Sequence, residues 1–437
     1  MSKIKLEKEG DGQTFIYPNE EGNGVTISQD EMRIISEDYH EIYDALVDRA
    51  FKRFNKEMNI QLSSSKVIIR YSLIPIVNVF LDRLIRLNSF LNSNGFNYEV
   101  SIGKNYKTFE TVSEFRKLAE RDPEFNDEII SFLGSKLWKL RKSDEFSNTN
   151  KKNNPPKGHN KLSRIYVRNL YNGISFRIKL LLSSIKRGKI PAFGVAYNKA
   201  PLIKYLFYYK FLDDLKLDWK DKGGIVDSKI RSYVFIDDIF ECSILSKFYR
   251  KHRINLNDKD ISQALCFFVK KYYPIDSLES FNYNMFSAKS VLKKYNSKYV
   301  ISRGGGAKGK YIIAGANEMG IKVIGIQHGG YYGYISDMHQ AVEYEYKLSD
   351  IFISWGWDEL PKYKRFKDLK VVKLPSPWLS ERKKYWKKVV PSFSSRKQYD
   401  VLYMPGGNVR FPRSLRGSSG PRIDLIHKMS LEIKDAV

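Results

Sequence analysis

Apolar positions along the chain fall into two regimes. Between residues 28 and 95 they recur at helical spacing, with Ile42, Leu46, Ala50 and Phe54 on one stripe. Ser28 followed by Glu31 has the form of a capping box at the start of that helix. Residues 67–81 are almost continuously apolar but carry Arg70, Pro75 and Asn78, which predicts a buried helix bent at the proline. No stretch reaches the roughly 18 apolar residues that span a bilayer. A short strand is predicted at 98–102 and helix again over 111–141, whereas residues 1–24 have no strand pattern of their own.

Residues 143–161 (SDEFSNTNKKNNPPKGHNK) have almost no apolar content and predict an exposed flexible loop. Over 163–187, Arg164, Arg168, Arg177, Lys179, Lys186 and Arg187 punctuate Ile165, Leu170, Ile174, Ile178 and Leu182. This is a basic helix, either an ordinary solvated one or one that leans on anionic lipid. From residue 192 the second regime begins. Short apolar runs at 193–197, 233–236, 299–302, 322–327, 351–354 and 370–374 predict strands. Helical stretches are predicted at 201–215, 240–250, 262–273, 287–295 and 310–319. Strands alternating with helices predict an α/β fold with a parallel, doubly wound sheet.

Composition adds three constraints. At 437 residues, 42% hydrophobic and 14% aromatic, the chain can build a sizeable core. The formal charge of +26 attracts polyanions, whether nucleic acid, anionic lipid or phosphorylated substrates. Its basic residues run the whole length, and neither zinc-finger spacing nor an RNP-like aromatic strand is present, which weighs against nucleic acid. Cys242 and Cys266, both in apolar runs, read as buried thiols with no disulfide framework or thiolate metal site. The charged first ten residues lack the apolar region of a signal peptide, so the expected location is cytoplasmic.

Candidate chemistry sits at strand ends. Arg303-Gly304-Gly305-Gly306-Ala307-Lys308-Gly309-Lys310 lies between a strand and a helix. Gly304, Gly309 and Lys310 match phosphate-loop spacing, but Tyr311 stands where a Ser or Thr would hold magnesium. What remains is an anion site at a helix N-terminus beside Arg303, or a tight βα turn. One strand later, Gln327-His328-Gly329-Gly330 and Tyr332 follow the apolar run 323–326. A histidine at a strand's C-terminal end, flanked by glycine, fits a general base, a donor to phosphate oxygen, or a structural residue. Glu343-Tyr-Glu345 leads into the next strand, which ends in Trp355-Gly356-Trp357. These tryptophans fit either an apolar wall for a sugar or base, or an anchor at a domain edge. No residue set has metal-ligand spacing.

IQHGGYYG (326–333), EYEYKLSDIFISWGW (343–357) and LPSPWL (374–379), with softer matches around Tyr71 to Arg83 and at 274–281, resemble a bacterial family of surface-polysaccharide (O-antigen type) transferases. The order of parts is distantly similar to CDP-glycerol glycerophosphotransferases. The resemblance covers about residues 40–410. It implies a GT-B-like glycosyltransferase with two Rossmann-type domains and the active site between them. Residues 1–142 would be a mainly helical N-terminal part of the acceptor domain, 143–161 a loop, and 162–374 its Rossmann-like α/β body. Residues 375–399 would be a connector and 400–437 the start of an incomplete donor domain, as in a truncated, non-catalytic remnant. The implied catalytic residues are His328 and Gln327. The implied substrate contacts are Arg303, Gly304, Gly305, Gly329, Gly330, Tyr332, Glu345, Trp355 and Trp357. The implied donor is a nucleotide-activated sugar, with no permanently bound cofactor. The acceptor would be a lipid-linked or growing glycan, reached peripherally at the inner membrane face.

Overall fold

A computed structural model describes residues 2–5, 14–15, 29–58, 64–94, 98–101, 106–143, 190–193, 212–214, 217, 219, 226–302, 304, 306–329, 332, 339–358, 369–376, 380 and 383. The fold is mixed α/β, with two all-parallel sheets.

The first sheet has the order β2-β1-β3-β4, from β1 (Ser2–Lys5), β2 (Thr14–Phe15), β3 (Tyr98–Ser101) and β4 (Arg141–Ser143). The absence of strands expected for residues 1–24 is therefore corrected. β1 pairs with both β2 and β3, and backbone pairing alone, without apolar alternation, defines it.

The expected helix over 28–95 is two helices, α1 (Gln29–Met58) and α2 (Ser65–Asn94). The α1 stripe extends from Ile35 through Tyr39, Ile42, Tyr43, Leu46, Val47 and Ala50 to Phe54, all buried. α2 is buried around its whole circumference, and Pro75 lies inside it. Its polar residues are satisfied within the protein. Asp82 pairs with Arg83 at 2.6 Å, and Arg83 also reaches Asn126 and the Ala119 carbonyl. The expected helix 111–141 is likewise divided, into α3 (Val112–Arg121) and α4 (Pro123–Leu137). The break is Asp122-Pro123: proline opens α4, and the Asp122 side chain caps the Phe125 amide.

The second sheet has six strands, β5 (Ile190–Phe193), β6 (Leu212–Asp214), β7 (Tyr299–Ser302), β8 (Lys322–Ile326), β9 (Ile351–Trp355) and β10 (Lys370–Leu374). Their order is β10-β9-β8-β7-β5-β6. Strand order therefore reverses between β5 and β7. In a doubly wound sheet, the crevice at the C-terminal ends of such a pair is where ligands bind. The expected strand at 193–197 lies earlier, and 194–197 fall outside the described residues. Within the expected helix 201–215, residues 212–214 form β6, and 201–211 fall outside.

Helices α5 (Ser228–Val234), α6 (Ser243–Lys251) and α7 (Asp258–Tyr272) join α1–α4 in one large core. The strand expected at 233–236 is a correction. Asp227 accepts hydrogen bonds from the Lys229 and Ile230 amides and starts a helix that consumes Tyr233 and Val234. Helices α8 (Phe281–Lys293) and α9 (Gly306–Glu318) cover β7 and β8 through Tyr311, Ile312, Leu292 and Val300. A short α10 (His339–Tyr344) and a 3-10 turn (Tyr346–Leu348) precede β9. Cys266 is buried as expected, but Cys242, at the start of α6, is only half-buried. Among the described residues no helix is long and apolar enough to cross a membrane. The segments 144–189 and 400–437, with nearly all of 375–399, fall outside the described residues.

Candidate active site

The strand that carries His328 is fixed by a close approach. A Cβ on Gly325 would lie 2.4 Å from Ser349 Oγ and 2.7 Å from the Phe352 ring, so only glycine lets β8 pack there. Phe193, Ser302, Gly325 and Phe352 stand side by side across β5, β7, β8 and β9, in register and on one face.

Gln327 ends β8 as a buried clamp. Its Oε1 accepts from the Trp355 amide at 2.6 Å and from Trp357 Nε1 at 2.8 Å. Its Nε2 donates to the Gly329 carbonyl at 2.7 Å. At 2% exposure, Gln327 holds the turn and the end of β9 together. Trp357 is buried with Tyr332, Tyr346 and Phe352, so its indole anchors the sheet edge. Trp355 is half-buried, and its Nε1 lacks a hydrogen-bond partner among the described residues.

His328 is the exposed member of the group, with 27% of its side chain accessible. The Tyr332 hydroxyl lies 2.9 Å from its Nδ1 and 3.1 Å from its Nε2. The same hydroxyl donates to Glu345 Oε1 at 2.6 Å. Glu345 Oε2 lies 3.5 Å from His328 Nδ1 and is buried without a hydrogen bond among the described residues. Tyr332 is 1% exposed and stacks at 18° on Phe352, so it supports the site from behind.

The glycine loop meets this group. Gly304, at φ +87°, sits where a Cβ would be 3.5 Å from Glu345 Cγ. Gly309 packs on Phe193: a Cβ there would be 2.6 Å from its ring. The start of α9 thus lies at the reversal point between β5 and β7. Ser302, which ends β7 and which sequence reasoning passed over, is 2% exposed, and its hydroxyl has no hydrogen-bond partner among the described residues. Its only sequence signal is a hydroxyl ending an apolar run. Lys310, by contrast, is not a phosphate ligand. Its Nζ is buried against Asp276 (3.0 Å), Ser277 (2.6 Å) and Ser72 (3.3 Å). Arg303, Gly305 and Gly330 fall outside the described residues, while Gly329 is half-buried at the turn.

The two glutamates of the EYEY segment part company. Glu343 is fully buried among Arg70, His40 (2.8 Å) and Lys347 (2.6 Å). Burial alone would raise its pKa, but Arg70, the hydrogen bond to His40 and Lys347 outweigh that and hold it far below the usual carboxylate range. Glu343 ties α10 to α1 and α2, while Glu345 turns to His328. Among the described residues no group of three or more His, Cys, Asp or Glu is placed to hold a metal ion.

A half-exposed imidazole backed by a hydroxyl and a carboxylate can take a proton from an incoming hydroxyl. Three buried polar atoms without hydrogen-bond partners among the described residues, Ser302 Oγ, Glu345 Oε2 and Trp355 Nε1, belong to residues at the ends of β7 and β9 and beside the glycine loop. No curated protein and no solved structure shows a significant match to this sequence. A family model, however, matches residues 18–404, most of the chain, and on that match the chain belongs to the LIC12162 family of transferases.

Proposed function

We propose that the protein transfers a sugar from a nucleotide-activated donor to a glycan hydroxyl in bacterial surface-polysaccharide (O-antigen or capsule) assembly, with His328 as general base. The observation that carries this reading is the half-exposed His328, backed by Tyr332 and Glu345, at the C-terminal crevice of a parallel sheet. Membership of a transferase family supports group transfer as the reaction type. In the reaction, His328 accepts the proton of the acceptor hydroxyl. The acceptor oxygen bonds to the anomeric carbon. The bond from that carbon to the phosphate oxygen breaks, and the nucleotide leaves with the electron pair. The N-terminal end of α9, approached over Gly304, offers a positive dipole end to the departing phosphate.

The wider arrangement proposed is GT-B-like, with residues 1–374 on the acceptor side, 375–399 as connector and residues from 400 opening the donor side. The acceptor is lipid-linked or a growing glycan, met at the inner membrane face, where the charge of +26 favours anionic lipid. No permanently bound cofactor is required.

The test is transfer of radiolabel from a panel of nucleotide sugars, with CDP-glycerol included, to a lipid-linked glycan fraction. His328→Ala should lower transfer by about 10²-fold or more. Transfer that persists unchanged in His328→Ala would remove the assigned role, and label moved only from CDP-glycerol would replace the sugar donor by a polyol phosphate.

A further inference from the structure

We infer that Arg116, with Tyr71 and Tyr344, forms an anion site that takes a phosphate group. Arg116 lies on α3 and Tyr71 on α2, while Tyr344 ends α10, one residue before Glu345. The guanidinium carbon is 5.3 Å from the centre of the Tyr71 ring and 5.0 Å from that of Tyr344. The two rings meet edge to face, with centres 5.0 Å apart. Their π faces hold the cation between three helices. Both tyrosines are buried, whereas Arg116 is only half-buried. Its Nε lies inside, without a hydrogen bond among the described residues, and the rest of the group reaches solvent.

This cluster differs from the other buried arginines in having no anion. Asp82 serves Arg83 and Arg86, and Glu279 serves Arg231. Among the described residues no carboxylate pairs with Arg116. Glu343, next to Tyr344, is already held by Arg70, His40 and Lys347. A guanidinium has N–H donors and no acceptor. Burial opposes its charge, but the Tyr344 and Tyr71 hydroxyls accept from it and hold its pKa above the usual arginine value. Each hydroxyl keeps its own hydrogen to give. The group is therefore a half-open cation flanked by donors, and the planar fork of arginine matches two oxygens of one phosphate. The site does not depend on the role of His328. Two phosphates belong to the proposed reaction: that of the nucleotide donor and that of a lipid-linked acceptor.

The experiment is 1H–15N NMR of the full chain with labelled arginine, titrated at constant ionic strength with inorganic phosphate, UDP or geranyl diphosphate against chloride. Arg116→Lys assigns the Nε–H signal by its loss; if that variant does not fold, contacts to the Tyr71 and Tyr344 rings assign it. Each phosphate should shift the signal saturably. Tyr344→Phe, which keeps the ring and loses the hydroxyl, should weaken inorganic phosphate by about tenfold. Tighter binding of UDP than of inorganic phosphate supports the site and names the donor as the source. Tighter binding of geranyl diphosphate supports it and names the lipid carrier. A purely packing role for Arg116 would leave the signal where it is. No shift with any of the three, or the same shift with chloride, overturns the inference. Saturable phosphate binding by a chain that transfers no sugar from any donor overturns the proposed reaction and leaves this site standing.

Discussion

Replacing Gln327 with leucine separates a holding role from a chemical one. Leucine has similar volume but no polar atoms, so the substitution removes three hydrogen bonds at once: those to the Trp355 amide, Trp357 Nε1 and the Gly329 carbonyl. The Gly329 carbonyl is on a half-buried residue and can turn to water, whereas the two donors converge on a side chain that is 2% exposed. Each buried donor left unbonded costs about 1–3 kcal/mol, so the expected loss is about 2–6 kcal/mol. That is a large share of the ~5–15 kcal/mol that holds a domain together. The assay is equilibrium urea unfolding followed by tryptophan fluorescence. The midpoint should fall with little change in slope. A double-mutant cycle sharpens the test: in a Trp357→Phe background one donor is already gone, so Gln327→Leu should cost about 1–3 kcal/mol less. A loss under about 1 kcal/mol, or no coupling to Trp357, would refute the clamp and return Gln327 to the list of chemical groups.

Lys310→Met should destabilise the protein by about 3–5 kcal/mol, because Asp276 is left as a buried, unpaired carboxylate. The variant's affinity for nucleotide, by calorimetry, should not change; lost affinity with stability intact would restore a phosphate-loop reading. In acid, the group around Glu343 and Asp44 should fail early. Asp44 is also held below its usual range: Lys347 and Arg70 outweigh its burial. Depressed folded-state values mean that the stabilisation is complete above the ordinary values of 4.5 and 3.8 and is lost as pH falls below them. Urea midpoints should therefore be flat from about pH 7 to 5 and then drop, with a shallower drop in Glu343→Gln; equal slopes in both proteins would refute the assignment. Burial, together with Asp237 and Asp238, pushes the Cys266 thiol up to about 12. Iodoacetamide at about pH 8 should label half-buried Cys242 first and Cys266 only after unfolding, as read by mass spectrometry.

The strands that carry the site were legible because short apolar runs separated by helical stretches have one economical reading in an alternating chain. Tyr299–Ser302 and Lys370–Leu374 were read to the residue, and Lys322–Ile326 and Ile351–Trp355 to within one. The run at 233–236 misled because its apolar character is shared by a helix end and a strand; the deciding signal was Asp227, an N-cap six residues earlier. β1 and β2 gave no signal, since backbone pairing to β3 defines them. Within the site, glycine spacing marked the right loops but not side-chain direction. Lys310 sits at a phosphate-loop position yet turns inward, because Asp276, Ser277 and Ser72 offer it a buried pocket. Glu343 and Glu345 are two residues apart in an EYEY repeat, and only the partners brought from α1 and α2 separate the structural one from the one beside His328.

The cluster around Glu343 has a consequence during synthesis. Arg70 and Glu343 are 273 positions apart. At translation rates of about 5–20 residues per second, Arg70 leaves the ribosome on the order of 14–55 s before its partner exists. Throughout that interval Arg70 on the nascent α2 has Asp44 of α1 as a partner but lacks the buried Glu343, and the apolar stripe of α1 still waits for α5–α7. A chain cut anywhere before Glu343 would be held in that state permanently. The N-terminal helices therefore depend on late-made sequence for their final packing, and an excised N-terminal piece is expected to aggregate or bind a chaperone rather than fold alone.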